Sequence, residues 1–176
     1  VATDENATLD HIDVAILREL QRDARVLNKD LAAKVGVAQS TALERVRSLR
    51  RRGVVTGVHA DVDLAALGRS LQVLVSIRLR GGGVRDKLAF AEQLAAQPEV
   101  VRVLHLSGPD DVLAHVAVPG AEHLRAFLAD RVSTRPEVLS LRTTLLFAEL
   151  ARKEQVPLGR RAQDPVQEPA QDPAQR

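Results

Sequence analysis

Between Gln39 and Arg52 the chain carries Arg45, Arg47, Arg50, Arg51 and Arg52 against one acid, Glu44. Guanidiniums at that density suit phosphate oxygens and the bidentate edge of guanine. Ahead of them, Gln39, Ser40 and Thr41, together with Glu44, are polar side chains at the start of one helical segment. There they can reach base edges while the first N–H groups of the helix face phosphate. Arg47 and Arg51 stand four apart and share a helical face, which makes them strong phosphate candidates, with Arg50 beside them. Two side chains have a second role open. Arg45 can contact phosphate, or it can pair with Glu44 or an acid of the first helix, Asp13 or Glu19. Glu44 can read a base, or it can close a capping box with Thr41, because Ala38 ahead of them has no side chain able to cap. The plainer account of the arginine run is a solvated helix end favoured by the helix dipole.

Other chemistry is sparse. The five histidines are scattered; only His105 and His115, on strands expected to pair, can approach each other, and two imidazoles do not make a metal site. No G-x-S-x-G elbow, Walker loop, H-E-x-x-H or dinucleotide fingerprint occurs, so no catalytic residue, metal or cofactor is assigned. The absence of cysteine removes thiolate ligands, thiol nucleophiles and disulfides and points to an intracellular, cytoplasmic protein. Three Phe with no Trp or Tyr leave no aromatic platforms for stacking single strands. No apolar run is long enough for a membrane span. With a formal net charge of only +2, attraction to nucleic acid has to come from where the basic residues sit.

The elements that must position these residues follow from hydrophobic period. Asp10 caps a first helix with Ile12, Ile16, Leu17 and Leu20 on one face. A second helix from Asn28 buries Leu31, Ala32 and Val35 and stops at Gly36. The third runs from Gln39 to Arg52, with Leu43, Val46 and Leu49 on its inner face, and ends at Gly53. Val54-Val55-Thr56-Gly57 then reads as a short extended hairpin or wing, which makes residues 9–57 a winged helix-turn-helix.

After a linker over 58–70 the period changes from helix-like to strand-like, with Leu71, Val73, Val75, Ile77 and Leu79 opposed to Gln72, Ser76, Arg78 and Arg80. A helix from Asp86 to Ala96 follows, then strands at Val100 to Leu106 and Val112 to Val118 around a Gly108-Pro109-Asp110 turn. A helix from Ala121 to Val132 and a last strand from Val138 to Phe147 complete β-α-β-β-α-β over 71–153, a ferredoxin-like αβ sandwich, so the fold class is α+β. Both helices lie on one face. The other face, with Leu74, Leu104 and Leu113, needs cover, and a second copy is the natural cover. Residues 1–8, and residues 154–176 with their repeated Gln-Asp/Glu-Pro pattern, are expected to be disordered.

Three stretches taken in order closely resemble the Lrp/AsnC (feast/famine) regulators. They are Leu9-Asp10-x-x-Asp13-x-x-Ile16-Leu17-x-x-Leu20-Gln21-x-Asp23-Ala24-Arg25, Leu31-Ala32-x-x-Val35-Gly36, and Arg45-Val46-x-x-Leu49-x-x-x-Gly53-Val54-Val55-x-Gly57. The likeness continues in Ser107-Gly108-x-x-Asp111 and in Arg142-Thr143. This resemblance implies a DNA-binding domain joined to a ligand-binding and oligomerisation domain. It implies double-stranded DNA as partner, a homodimer formed through the sheets, higher homo-oligomers such as tetramers or octamers, and an amino-acid effector beside the Gly-x-x-Asp loop. On that footing Ser107, Gly108, Asp111 and Thr143 are the effector-binding residues. Gly108 would admit close approach, Asp111 would pair with an α-ammonium, and Thr143 or Ser107 would bond a carboxylate. The plainer reading of the loop is a Gly-Pro-Asp turn in which Asp111 satisfies turn amides. The sirohaem decarboxylases are similar to this chain in two-domain plan and stand as the enzymatic alternative, which the absence of tyrosine and the basic third helix oppose. A sensor or assembly module that no longer binds DNA is the other alternative. The reading carried forward is a sequence-specific, DNA-binding transcriptional regulator, not an enzyme, modulated by a small effector.

Overall fold

Asp10 turns the chain into the first helix: it is extended, and its Oδ1 accepts the Asp13 N–H at 2.8 Å. The computed structural model describes residues 9–158, so the disorder expected for residues 1–8 and most of that expected for the C-terminal tail lie outside the described residues. The chain divides into a unit made from both its ends, Val1–His59 with Ala151–Arg176, and a second unit, Ala60–Leu150.

In the first unit α1 (His11–Arg22) is followed by α2 (Asn28–Val35) and α3 (Gln39–Arg51). Gly36, at φ 71°, takes the left-handed conformation that ends α2 and lets α3 begin three residues later. Ile16, Leu31, Val46 and Leu49 form the core, ringed by Leu9, Ile12, Leu17, Leu20, Val26, Val35, Val54 and Val55. The inner face of α3 differs from expectation: Ala42 is fully buried and Leu43 is 40% exposed. Seven residues bring Ala42 back to within about 20° of Leu49 around the helix, whereas six leave Leu43 about 120° away. The segment after α3 also differs, since 54–57 forms no strand. The Val54 and Val55 N–H groups both donate to the Leu49 carbonyl, at 2.9 and 3.2 Å, and this folds the segment back over the end of α3.

The second unit runs β1 (Leu71–Leu79), α4 (Val84–Ala95), β2 (Val100–His105), β3 (Val112–Val118), α5 (Ala121–Phe127) and β4 (Val138–Leu145). The strands form one antiparallel sheet in the order β2-β3-β1-β4, as a ferredoxin-like fold requires. Val73, Val75 and Ile77 of β1 and Val112, Ala114, Val116 and Val118 of β3 are buried together with Phe90, Leu94, Phe127 and Val132. The helix expected to run to Val132 stays α-helical only to Phe127, and a π-helical turn, Leu128–Ser133, follows. The wider turn ends with Val132 fully buried under the sheet. On the opposite face Leu104 is 45% exposed, and Leu74 and Leu113 are half-buried.

One boundary moves. Glu154 and Gln155, expected to open a disordered tail, are hydrogen-bonded to α1 through Arg22 and Gln21. Composition speaks against an independent core for such a segment, but it does not forbid docking onto one already formed.

The inner face of α3 can be tested directly. Leu49→Ala should lower the unfolding free energy of the first unit by about 2–5 kcal/mol in urea denaturation followed by circular dichroism. Leu43→Ala should stay within about 0.5 kcal/mol of the parent. Equal losses would contradict this packing.

Candidate functional site

The side of α3 that meets α1 is held by charge as well as by apolar contact. Asp13 is 5% exposed and is the one buried charged residue among those described. Its Oδ1 accepts from Arg45 Nη1 at 3.0 Å, and its Oδ2 lies 3.5 Å from Arg52 Nη1. The same Arg45 nitrogen also reaches Asp10 Oδ2 at 2.5 Å. Burial tends to raise the Asp10 pKa, but hydrogen bonds from the Asp13 N–H and from Arg45 outweigh it and hold that carboxyl below the ordinary aspartate value. Of the two roles open to Arg45, the geometry realises packing. Its guanidinium faces α1 because both carboxylates of the first turn lie there, so it does not stand with the outward arginines.

The other side of α3 is open. Gln39, Ser40, Thr41, Glu44, Arg47 and Arg50 are all exposed. Among the described residues neither Arg47 nor Arg50 makes an ion pair. Arg51 pairs with Glu44 at 2.8 Å, with both side chains more than half exposed, so the pair costs little to exchange for another anion. Arg51 and Arg47 draw the Glu44 pKa down. The capping box does not form. Ala38 is the N-cap, Thr41 is already the third helical residue, and Glu44 spends its carboxylate on Arg51. With no side-chain acceptor at the cap, the first-turn N–H groups of α3 keep their donor capacity. Ser40, Thr41, Glu44, Ser48 and Arg51 line a shallow concavity of about 580 Å³ that extends to the ion-paired Asp13, Arg45 and Arg52. Ser48 was not singled out from the sequence; its place, four residues beyond Glu44 on the same face, was the available signal.

In the second unit the loop between β2 and β3 is built around Asp111, which is mostly enclosed. Its Oδ2 accepts the Leu79 N–H at 2.7 Å and its Oδ1 accepts from Lys87 Nζ at 2.5 Å. These two donors hold its carboxyl below the usual range. Its backbone also joins the sheet, with the N–H donating to the Ile77 carbonyl and the carbonyl accepting from Leu106. Lys87 was missed, because no local pattern ties a helical lysine to an acid twenty-four residues away. Ser107 and Gly108 are exposed, Gly108 at φ 154° with open space where a Cβ would stand. Asp110 accepts from Arg142 at 2.8 Å. Arg142 is paired with Ser76 and Thr143 with Val75, so the two project to opposite faces of the sheet. Thr143 lines a groove with Leu124, Leu128, Ser133 and Thr134 of the helical layer. The loop and Thr143 are therefore not brought onto one surface; the β4 residue that meets the loop is Arg142. Nor do the two strand histidines meet: His105 is opposite Val112, and His115 is opposite Arg102 and bonded to Gln72 at 2.9 Å.

Two family models match this chain. One, described as winged helix-turn-helix DNA-binding, matches residues 9–56, and the other, the Lrp/AsnC ligand binding domain, matches residues 72–156. The HTH-type transcriptional regulator AldR of Mycolicibacterium smegmatis is 38% identical over 142 residues, covering 81% of this chain and 83% of the relative. The crystal structure of AldR from Mycobacterium tuberculosis superposes with a TM-score of 0.68 at 35% identity, covering 85% of this chain and all of that one. A transcriptional regulator from Neisseria meningitidis, crystallised as an L-Met complex, shares the fold with a TM-score of 0.76 at 24% identity, covering 85% of this chain and 97% of that one.

Two substitutions test the carboxylates that build these surfaces. Asp13→Asn, which removes the charge facing Arg45 and Arg52, should destabilise the first unit by about 1–3 kcal/mol in urea unfolding. Asp111→Asn should destabilise the second unit by a similar amount near neutral pH. The folded-state pKa of Asp111 is depressed, so its contribution is present above the ordinary value of 3.8 and is lost as the pH falls through the lower folded value. The gap between parent and Asp111→Asn should thus close on acidification. A gap unchanged between pH 7 and pH 3 would show that the charge is not what Asp111 contributes.

Proposed function

We propose that this chain, which belongs to the Lrp/AsnC family of DNA-binding transcriptional regulators, reads a specific double-stranded DNA sequence through α3 and adjusts its assembly or DNA affinity to an amino-acid effector. The observation that carries the reading is the division of the α3 arginines. Arg45 is spent on α1, whereas among the described residues Arg47 and Arg50 are exposed without ion pairs and Arg51 has an exposed, exchangeable one. We assign Arg47, Arg50 and Arg51 to phosphate, and Gln39, Ser40 and Thr41, with Glu44 beside them, to base edges. Arg45 becomes a strut that aims the helix.

For the effector we assign the loop around Ser107, Gly108 and Asp111. Asp111 keeps lone pairs for an α-ammonium beyond those given to Leu79 and Lys87, and Arg142 is the cation on the loop's own face for a carboxylate. The match of residues 72–156 to a ligand-binding family model and the L-Met complex of the Neisseria relative support this reading. The half-covered sheet face with Leu74, Leu104 and Leu113 supports a homodimer formed through the sheet, and dimers could assemble further to tetramers or octamers. The location is the cytoplasm, and the relatives, named as transcriptional regulators, favour regulation over catalysis. Among the described residues no helix is long and apolar enough to cross a membrane.

Fluorescence anisotropy on duplex DNA from upstream of the protein's own gene tests the DNA face. A dimer making roughly 6–10 phosphate contacts should lose about 10³–10⁵ in affinity between 50 and 200 mM salt. Arg47→Gln and Arg50→Gln should each flatten the log–log salt slope by about one per contact removed, and Arg45→Gln should lower stability and leave the slope near the parent's. A flat salt dependence in the parent overturns the DNA reading. For the effector, the twenty amino acids are tested one at a time by melting temperature and by light-scattering mass; no shift in either with any of them removes it.

A further inference from the structure

We infer that the DNA-binding unit is completed by the chain's C-terminal segment, residues 151–157, which straps α1 and reaches the groove between α1 and the end of α3. The helix-turn-helix is then not an autonomous N-terminal module. The functional consequence rests on the DNA reading above; the docking itself does not.

The geometry is specific. Gln21 makes two hydrogen bonds to one residue of the segment: its Oε1 accepts the Gln155 N–H at 2.7 Å, and its Nε2 donates to the Gln155 carbonyl at 3.0 Å. The side-chain amide thus pairs with the segment's backbone as a neighbouring strand would. The same Nε2 also donates to the Leu17 carbonyl, 3.1 Å away, which braces the amide against its own helix. On one side of this pairing the Glu154 carboxylate is shared between Arg18, at 3.5 Å, and Arg22, at 3.2 Å. On the other, Val156 and Pro157 lie along a groove lined by Leu17, Val54 and Val55. Glu154 and Val156 are half-buried while Gln155 and Pro157 are exposed, the alternation of an extended segment with one face down. The Gln155 side chain folds back onto the Arg152 carbonyl at 2.7 Å.

Relative to Asp13, Gln21 lies about 80° around α1, Arg18 about 140° and Arg22 about 180°. The ion pairs and the amide pairing of the strap therefore use a flank of α1 that Asp13 does not, and they leave Gln39, Ser40, Thr41 and Arg47 uncovered, whereas Arg50 lines the same groove as Val156 and Pro157. The strap can act on DNA binding through α1, the helix whose Asp10 and Asp13 hold Arg45, and through the end of α3, where Arg50, Val54 and Val55 line its groove. The chain crosses between the units at 59/60 and again at 150/151, and the second crossing follows β4 by only residues 146–150.

The test uses the full-length chain and compares the parent with Gln21→Ala, Glu154→Ala and the double variant. Alanine raises helix propensity at position 21, so faster exchange in α1 cannot come from a weakened helix. Hydrogen exchange read by mass spectrometry should show the 151–157 peptide protected in the parent. Its protection should fall about ten- to thirtyfold in Gln21→Ala, consistent with the loss of both hydrogen bonds to Gln155. Exchange in α1 should quicken while peptides from 71–145 stay unchanged. On the duplex probe the double variant should bind three- to tenfold more weakly. Exchange of 151–157 at free-peptide rates in the parent overturns the docking. A double variant with parental affinity overturns the link to DNA. A parent that binds no DNA defeats the regulator reading instead, and the exchange result still decides the strap.

Discussion

The buried carboxylate of Asp13 is the interaction on which the geometry of the DNA-binding unit turns. Four large side chains, Ile16, Leu31, Val46 and Leu49, make up the buried cluster there, with partly buried apolar residues around them, so the core of this unit is small. Asp13 supplies direction. Arg45 and Arg52, seven residues apart and so nearly in line along α3, converge on its two oxygens. Asp10 adds a second carboxylate from the cap of the same helix. A charge taken out of water is costly unless several donors reach it, so removing one partner costs more than the intact pair contributes.

That constraint divides α3 into two working surfaces. The arginines drawn inward set its orientation, and the others are left to the outer face with Gln39, Ser40 and Thr41. A basic run that composition treats as uniform is therefore split between an inner set paired with Asp10 and Asp13 and an exposed outer set. The exposed Arg51–Glu44 pair is the intermediate case, ordered in the free protein and open to exchange when a stronger anion arrives.

The second unit uses the same device at a different place. Asp111 is enclosed at the end of β3, accepting from a strand N–H and from a helical lysine, and it joins β1 to α4 much as Asp13 joins α1 to α3. In both units an aspartate that local sequence would place on a surface is turned inward by donors from distant segments. These contacts tie the Asp111 loop to β1 and α4, and its outer face carries the Asp110–Arg142 pair and the exposed Ser107.

The sequence by itself determined what depends on neighbours a few residues away. Asp10 as a cap, Gly36 as a left-handed stop, the three helices, the change of period at Leu71 and the antiparallel βαββαβ order were all legible, because caps, turns and hydrophobic period are short-range effects. The family resemblance, read from ordered motifs, carried the function further than any single motif could. Tertiary structure alone decided which of Ala42 and Leu43 faces inward, that Arg45 pairs with Asp10 and Asp13, which lysine meets Asp111, and that Thr143 faces away from the Asp111 loop. It also decided that Glu154 and Gln155 dock where composition implied a free tail. In each case the deciding partner is far along the chain, and its distance and direction follow from how helices and strands pack, which local spacing does not encode.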